Sequence, residues 1–170
     1  ERLLRLTDQI MDLRKIDRGM MELQLTQIAV SPFIRSVVQY MDDIVQSRNQ
    51  RLILNDHTDG NVNMFFDTDS LEKILINLLS NAIKYTPKDG TILVDYSVEE
   101  NKVNPDEGQH NLVIQVTDTG MGIPDEEKEN VFVRFYQVKA NGKHIKGTGI
   151  GLNLVKAFVE LYKGSITITD

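Results

Sequence analysis

The sequence predicts an α+β fold, a two-layer α/β sandwich in which a mixed sheet carries its helices on one face, with a further helix at the N-terminus. Strand-like and helix-like segments interleave without a regular βαβ alternation, which favours such a mixed sheet over a doubly wound one. The 170 residues suffice for one sizeable core plus a small appendage, since domains run about 100–150 residues. An apolar fraction of 41% and a charged fraction of 26% are those of a globular chain, which excludes a disordered tail or a fibrous repeat.

Leu3, Leu6, Ile10, Leu13, Ile16 and Met20 recur at steps of three and four, the stripe of an N-terminal helix that needs a partner and ends at Gly19. "MELQLTQIAV" alternates as a strand does, and Ser31-Pro32 then reads as an N-cap with proline at the first helical position. The second helix turns Ile34, Val37, Val38, Met41, Ile44 and Val45 inward. "RLILN" and "NVNMFF" are short strands on either side of the turn signal "DHTDG". Asp69 and Glu72 resemble a capping box opening a third helix over "LEKILINLLSNAIKYTP". "TILVDYSV" and "NLVIQVTD" are strands joined by the polar loop "EENKVNPDEGQ"; a short acidic helix follows near "DEEKENVFVRF". "YQVKANGKHIKGTGIG" has neither periodicity. A last helix directs Leu152, Val155, Val159 and Tyr162 to the core and stops at Gly164, before a final strand "SITIT". The chain starts inside a helical pattern and stops on "SITITD" with no visible close, so a piece of a larger protein is expected.

Several functions are disfavoured outright. A net charge of −6, from 25 acids and 19 bases, opposes broad attraction to nucleic acid or to an anionic membrane, so any phosphate must be held locally. Without cysteine there is no disulfide, thiolate metal site or cysteine nucleophile, and the three histidines have no metal spacing. No apolar run approaches the roughly 18 residues of a membrane span.

The third helix carries the first chemical signal. At about 100° per residue, Asn77, Asn81 and Lys84 fall within an arc of about 60° on a flank of its apolar stripe. A solvated flank is one reading. Two asparagines at i, i+4 nevertheless weaken a helix, and a carboxamide oxygen is a competent neutral ligand for a hard cation such as Mg²⁺. Six of the eleven glycines lie between Gly120 and Gly151, five of them in "DTGMGIP" and "GTGIGLNLVK", the latter opening into a helix whose N-terminal amides suit an anion. Plain turns are the alternative. Neither common phosphate loop fits: Thr148 replaces the lysine of a Walker A loop, and Leu152 the third glycine of a dinucleotide pattern. Asp118, at a strand end, is either a turn former or a carboxylate for an exocyclic amine such as adenine's. Lys139, Lys143, His144 and Lys146 lie in a segment without acids, an exposed loop or a lid facing phosphates.

Together, "NLLSNAIKYTP", "DTGMGIP", "FVRFYQV" and "GTGIGLNLVK", in that order, resemble the asparagine box, first glycine box, phenylalanine box and second glycine box of sensor histidine kinases. These belong to the superfamily shared with gyrase, the ninety-kilodalton heat-shock chaperone and MutL, whose nucleotide-binding domain has the Bergerat fold. The resemblance covers residues 22–170, expected as the ATP-binding catalytic domain with its last strand cut short. Residues 1–21 resemble the end of the second helix of the family's dimerisation and phosphoacceptor hairpin. The resemblance implies ATP and Mg²⁺ as cofactors. Asn81 would ligate the metal, Asn77 would assist there as the catalytic position, Lys84 would contact phosphate and Tyr85 would lie against adenine. Asp118 would accept the adenine amino group. Gly120, Gly122 and Ile123 would shape the pocket floor. Gly147, Thr148, Gly149, Ile150, Gly151 and Leu152 would supply lid backbone and a wall behind the base. Phe132 and Phe135 would anchor the lid, or else be core aromatics.

His57, His110 and His144 are not followed by an acid as the family's phosphoacceptor is, so that histidine is expected elsewhere, on a helix of the same or a partner protomer. Implied partners are that helix, a response regulator receiver domain and a second copy in a homodimer, with no nucleic acid. The implied location is the cytoplasm, in a parent anchored to a membrane. Hydrolytic relatives carry a glutamate where this chain has Asn77, which favours phosphotransfer over an ATPase clamp. A nucleotide-binding module without chemistry is the other alternative.

Overall fold

The computed structural model describes residues 2–100, 110–140, 143–144 and 147–169. Its elements are α1 (Arg2–Asp17), β1 (Thr26–Ala29), α2 (Val30–Ser47), β2 (Arg51–Asp56), β3 (Asn63–Phe66), α3 (Thr68–Tyr85), β4 (Thr91–Glu100), β5 (His110–Asp118), β6 (Lys139–Ala140), β7 (Lys143–His144) and α4 (Gly151–Leu161). They gather into two compact units. Glu1–Leu25, Asp67–Leu78 and Gly122–Asp170 form the first, and Thr26–Phe66 with Leu79–Met121 the second.

The second unit holds the expected mixed sheet, in the order β2-β4-β5, with β2 parallel to β4 and β4 antiparallel to β5. Along β4, Ile92, Val94 and Tyr96 are buried while Leu93, Asp95 and Ser97 stay partly exposed, so one face is covered. α2 buries Ile34, Val37, Val38, Met41 and Val45, and each fully buried side chain of this size contributes about 1.5–3 kcal/mol. β2 and β3 do not pair with each other across "DHTDG"; β3 pairs with β1 instead. Ser31 is not the N-cap of α2. The helix starts two residues earlier, capped by Ala29 without a side-chain bond, and the Ser31 hydroxyl lies 3.1 Å from Thr58 Oγ1. Pro32 falls in the first turn, where no amide hydrogen is needed. Buried Gln50 closes the end of α3, its Nε2 donating to the carbonyls of Ile83 (3.0 Å) and Thr86 (2.6 Å).

In the first unit, Leu13, Ile74, Ile150, Leu154, Val155 and Phe158 form the core. α1 presents a different face from the expected one. Gln9, Asp12 and Leu13 are buried, whereas Leu3, Leu4, Ile10 and Met11 are exposed, a rotation of the buried face by roughly 50° from the apolar stripe. The helix ends as expected at Gly19, whose φ of +62° brings the Met20 amide onto the Lys15 carbonyl. Asp67, not Asp69, caps α3, its Oδ1 accepting the Ser70 amide at 2.9 Å while Oδ2 accepts the Gln24 amide at 2.7 Å. Asp69 lies one turn before Lys73 and pairs with it at 2.8 Å. The Tyr162 hydroxyl accepts the Asp67 amide and sits 2.5 Å from Ser70 Oγ, which joins the end of α4 to the start of α3.

The expected acidic helix is two 3₁₀ turns, Asp125–Glu127 and Asn130–Phe132. Leu154, Val155 and Phe158 are the buried residues of α4, so its inward face is shifted from the one anticipated. Lys163, at φ +57°, takes the left-handed position at the end of α4, one residue before Gly164. Residues 165–169 form no strand: their alternation finds no ladder among the described residues. Most of the loop after β4, and the side chains of Lys139, Lys143, His144 and Lys146, lie outside the described residues.

Candidate functional site

The predicted site residues fall into two groups, one in each unit. In the second unit, α3 supplies Asn81, Lys84 and Tyr85, and the end of β5 supplies Asp118 and Gly120. Asn81 is half-buried and its carboxamide has no hydrogen-bond partner among the described residues. The Lys84 ammonium donates to the Tyr85 hydroxyl at 2.8 Å and stands 4.3 Å from the centre of that ring, a cation–π contact that orients both. Asp118 is exposed. Its Oδ1 accepts the Gly120 amide at 2.8 Å, as a turn-forming aspartate does, and its second oxygen has no hydrogen bond among the described residues. Gly120 is required by crowding: a Cβ there would stand 2.7 Å from the Tyr85 carbonyl oxygen and 2.5 Å from Asp118 Oδ1. The same packing brings the Asp118 turn beside Tyr85.

In the first unit, Asn77 is buried, and both ends of its carboxamide are engaged. Gln9 Nε2 donates to its Oδ1 at 2.8 Å, and its Nδ2 donates to the Lys73 carbonyl at 2.7 Å. Gly151 opens α4 against it, since a Cβ at that position would stand 2.9 Å from Asn77 Oδ1. Gly149 has φ +68°, and its Cβ would meet the Phe135 carbonyl carbon at 2.6 Å. The Phe135 amide donates to the Gly149 carbonyl at 2.8 Å and Gln137 Nε2 to the Gly147 carbonyl at 3.1 Å, which stitches the phenylalanine box to the second glycine box. Phe135 is no core aromatic: it is 67% exposed, with φ +63°. Phe132 is half-buried beneath the Lys156 ammonium. Gly147, Thr148 and Ile150 line a cavity of about 450 Å³ with Phe135 and with Leu3, Leu6 and Ile10 of α1. Gly122, at φ +68° in open space, is exposed; Ile123 and Leu152 are partly buried.

Polar residues of the first unit escaped the sequence pattern. Lys73 bridges Asp12 at 2.7 Å and Asp69; burial alone would depress its ammonium, but these two carboxylates outweigh burial and raise its pKa. Arg134 grips Asp17 with Nη1 at 2.7 Å and Nη2 at 2.5 Å while its Nε donates to Asn153 Oδ1. The hydrogen bonds from Arg134 hold the Asp17 carboxyl below the usual carboxylate range. The signal for Gln9 was its place on one helical face with Leu13 and Ile16, at i, i+4 and i+7.

The donors suit a metal held mostly by its own nucleotide. No group of three or more histidine, cysteine or acidic side chains stands ready for a cation among the described residues, whereas Asn81 offers an unpartnered neutral oxygen. Mg²⁺ fits such a site, because it keeps water and phosphate oxygens and takes few protein ligands. No described helix is long and apolar enough to cross a membrane.

Residues 66–170 match the family described as Histidine kinase-, DNA gyrase B-, and HSP90-like ATPase. Across 170 residues the chain is 34% identical to the circadian input-output histidine kinase CikA of Synechococcus elongatus, covering 99% of this chain and 21% of that protein. The fold matches full-length ShkA in complex with AMPPNP at a TM-score of 0.81 and 21% identity, over 99% of this chain and 33% of that one. It also matches the histidine kinase ThkA in complex with the response regulator protein TrrA, at a TM-score of 0.65 and 20% identity, over 95% and 43% of the two chains. The chain spans between 10 and 26% of the length of the curated relatives it matches.

Proposed function

This chain belongs to the histidine kinase-, DNA gyrase B- and HSP90-like ATPases, and on that premise we propose that it is the ATP-binding catalytic part of a sensor histidine kinase. Its work is to present the γ-phosphate of Mg-ATP to a histidine on a helical hairpin, from which the phosphate passes to a response regulator. Residues 1–21 are the end of that hairpin and 22–170 the catalytic domain. The observation that carries the reading is Asn81, a half-buried carboxamide without a partner among the described residues, on the helix that also bears Lys84 and Tyr85.

Asn81 would hold Mg²⁺, which when bound neutralises phosphate charge. Lys84 binds phosphate, Tyr85 stacks on adenine, and the unengaged oxygen of Asp118 accepts the adenine amine. Gly120, Gly122 and Ile123 floor the base site. The segment Gly147 to Leu152 is lid backbone, and Phe132 and Phe135 anchor the start of the lid. Phosphoryl transfer depends mainly on positioning and charge neutralisation, and a neutral imidazole already offers the lone pair that attacks. An asparagine at position 77 therefore suffices where a water-activating enzyme would need a base. The relatives named histidine kinases support the class, and the ThkA complex supports a response regulator as the kind of partner. Homodimerisation and a membrane-anchored parent with this part in the cytoplasm complete the proposal.

Titration calorimetry tests it. Mg-ATP is expected to bind below millimolar concentration; failure of both ATP and ADP to do so would contradict the reading. Asp118→Asn is expected to weaken ATP while leaving inorganic triphosphate unaffected, and equal loss for both would remove Asp118 from the base site. With a phosphoacceptor hairpin supplied in trans, label from ATP is expected on histidine; label on serine, or hydrolysis alone, would assign the chain to another branch.

A further inference from the structure

α1 meets α3 through polar groups. Gln9 Nε2 reaches Asn77 Oδ1 at 2.8 Å, and one turn away Asp12 Oδ2 accepts from the Lys73 ammonium at 2.7 Å. Gln9, Asp12 and Asn77 are 9%, 8% and 6% exposed. Turning an amide and a carboxylate inward is unfavourable unless each polar atom is satisfied, and here it happens while Leu3, Leu4, Ile10 and Met11 remain in solvent. Apolar burial alone does not select that face. What selects it is the pairing with Asn77 and Lys73. The oxygen that Gln9 reaches is also the only side-chain acceptor of Asn77, since its nitrogen only donates and is already spent on the Lys73 carbonyl. A second tie joins the same helix to the start of the lid, where Arg134 grips Asp17 in a two-pronged ion pair.

We infer that α1 is a latch on the nucleotide site: Gln9 holds Asn77 Oδ1 in the docked arrangement, and Mg-ATP competes with α1 for that oxygen. The inference rests on the reading of Asn77 as part of a Mg-nucleotide site. Linkage makes the effect reciprocal, so docked α1 weakens Mg-ATP and Mg-ATP loosens α1.

Gln9→Leu preserves bulk and removes the donor. Mg-ATP is expected to bind this variant roughly 3- to 10-fold more tightly than the unaltered chain, the range of one net hydrogen bond. Adenosine, which carries neither phosphate nor metal, is expected to bind both equally. Unchanged or weaker Mg-ATP binding overturns the latch. Hydrogen exchange on the unaltered chain gives a second reading that needs no variant to fold. Saturating Mg-ATP is expected to speed exchange of the α1 amides from Leu6 to Ile16, and protection that stays the same or increases overturns the inference. If the unaltered chain binds neither Mg-ATP nor adenosine, the nucleotide reading fails and takes this inference with it. If binding is intact but indifferent to Gln9, the latch alone fails.

Discussion

Asn77 and Asn81 are the same residue, one turn apart on one helix, and their surroundings could hardly differ more. Asn77 is buried, its oxygen taken by Gln9 and its nitrogen by the Lys73 carbonyl. Asn81 is half-buried and has no partner among the described residues. A motif specifies residue types at fixed spacing; neighbours from distant sequence decide which of them is structurally committed and which is available. The glycines divide in the same manner. Gly149 and Gly122 both have φ +68°, but Gly149 is pressed against the Phe135 backbone whereas Gly122 stands in open space.

That contrast can be broken or sharpened by substitution. The largest effect is expected at Gly149→Ala, which adds a left-handed penalty to a backbone clash and should lower unfolding stability by about 3 kcal/mol; Gly122→Ala should cost about 1 kcal/mol. Chemical denaturation of both compares them directly, and equal losses would mean that crowding at Gly149 is relieved at no expense. Next comes Asn77→Ala, expected to cost about 2 kcal/mol because it leaves buried Gln9 without its acceptor, against less than about 0.5 kcal/mol for Asn81→Ala. Parity between the two would remove the distinction.

Asp67→Ala should cost about 1 kcal/mol through loss of the α3 cap. Burial opposes ionisation of Asp67, but the amides of Ser70 and Gln24 outweigh it, and the native pKa lies below the ordinary aspartate value. Its contribution is therefore present above the unfolded pKa of about 4 and is lost as pH falls below that through the native pKa. The acid limb of the stability profile should flatten in Asp67→Ala; an unchanged limb would contradict the assignment. A small effect is expected for Arg134→Ala, under about 1 kcal/mol for an exposed pair and diminishing with added salt.

Much of this was legible in the sequence. Strong 3.6-residue periodicity placed α2 and α3, because those helices bury one continuous face, and two strand-like runs on either side of a polar loop placed β4 and β5. Residues 165–169 alternate but find no strand to pair with among the described residues, and a ladder cannot be read from one strand alone. Caps shifted for a similar reason. Ser31 and Asp69 had the right chemistry, yet Ser31 was drawn to Thr58 and Asp69 to Lys73, while Ala29 and Asp67 held the helix starts. The inward face of α1 was misjudged because hydrophobicity outlines a stripe, whereas the helix turned about half a sector to satisfy Asn77 and Lys73. At the candidate site the residue types could be named in advance; Gln9, Asp12 and Arg134 could not, since their roles exist only through partners 61 to 117 residues away.

The most direct test compares ATP affinity with and without Mg²⁺ in the unaltered chain and in Asn81→Ala. Magnesium should tighten ATP at least tenfold in the unaltered chain, and this gain should vanish in Asn81→Ala while metal-free ATP binds both alike. A magnesium-dependent gain of the same size in the two proteins would show that Asn81 does not hold the metal, and the central assignment would fall.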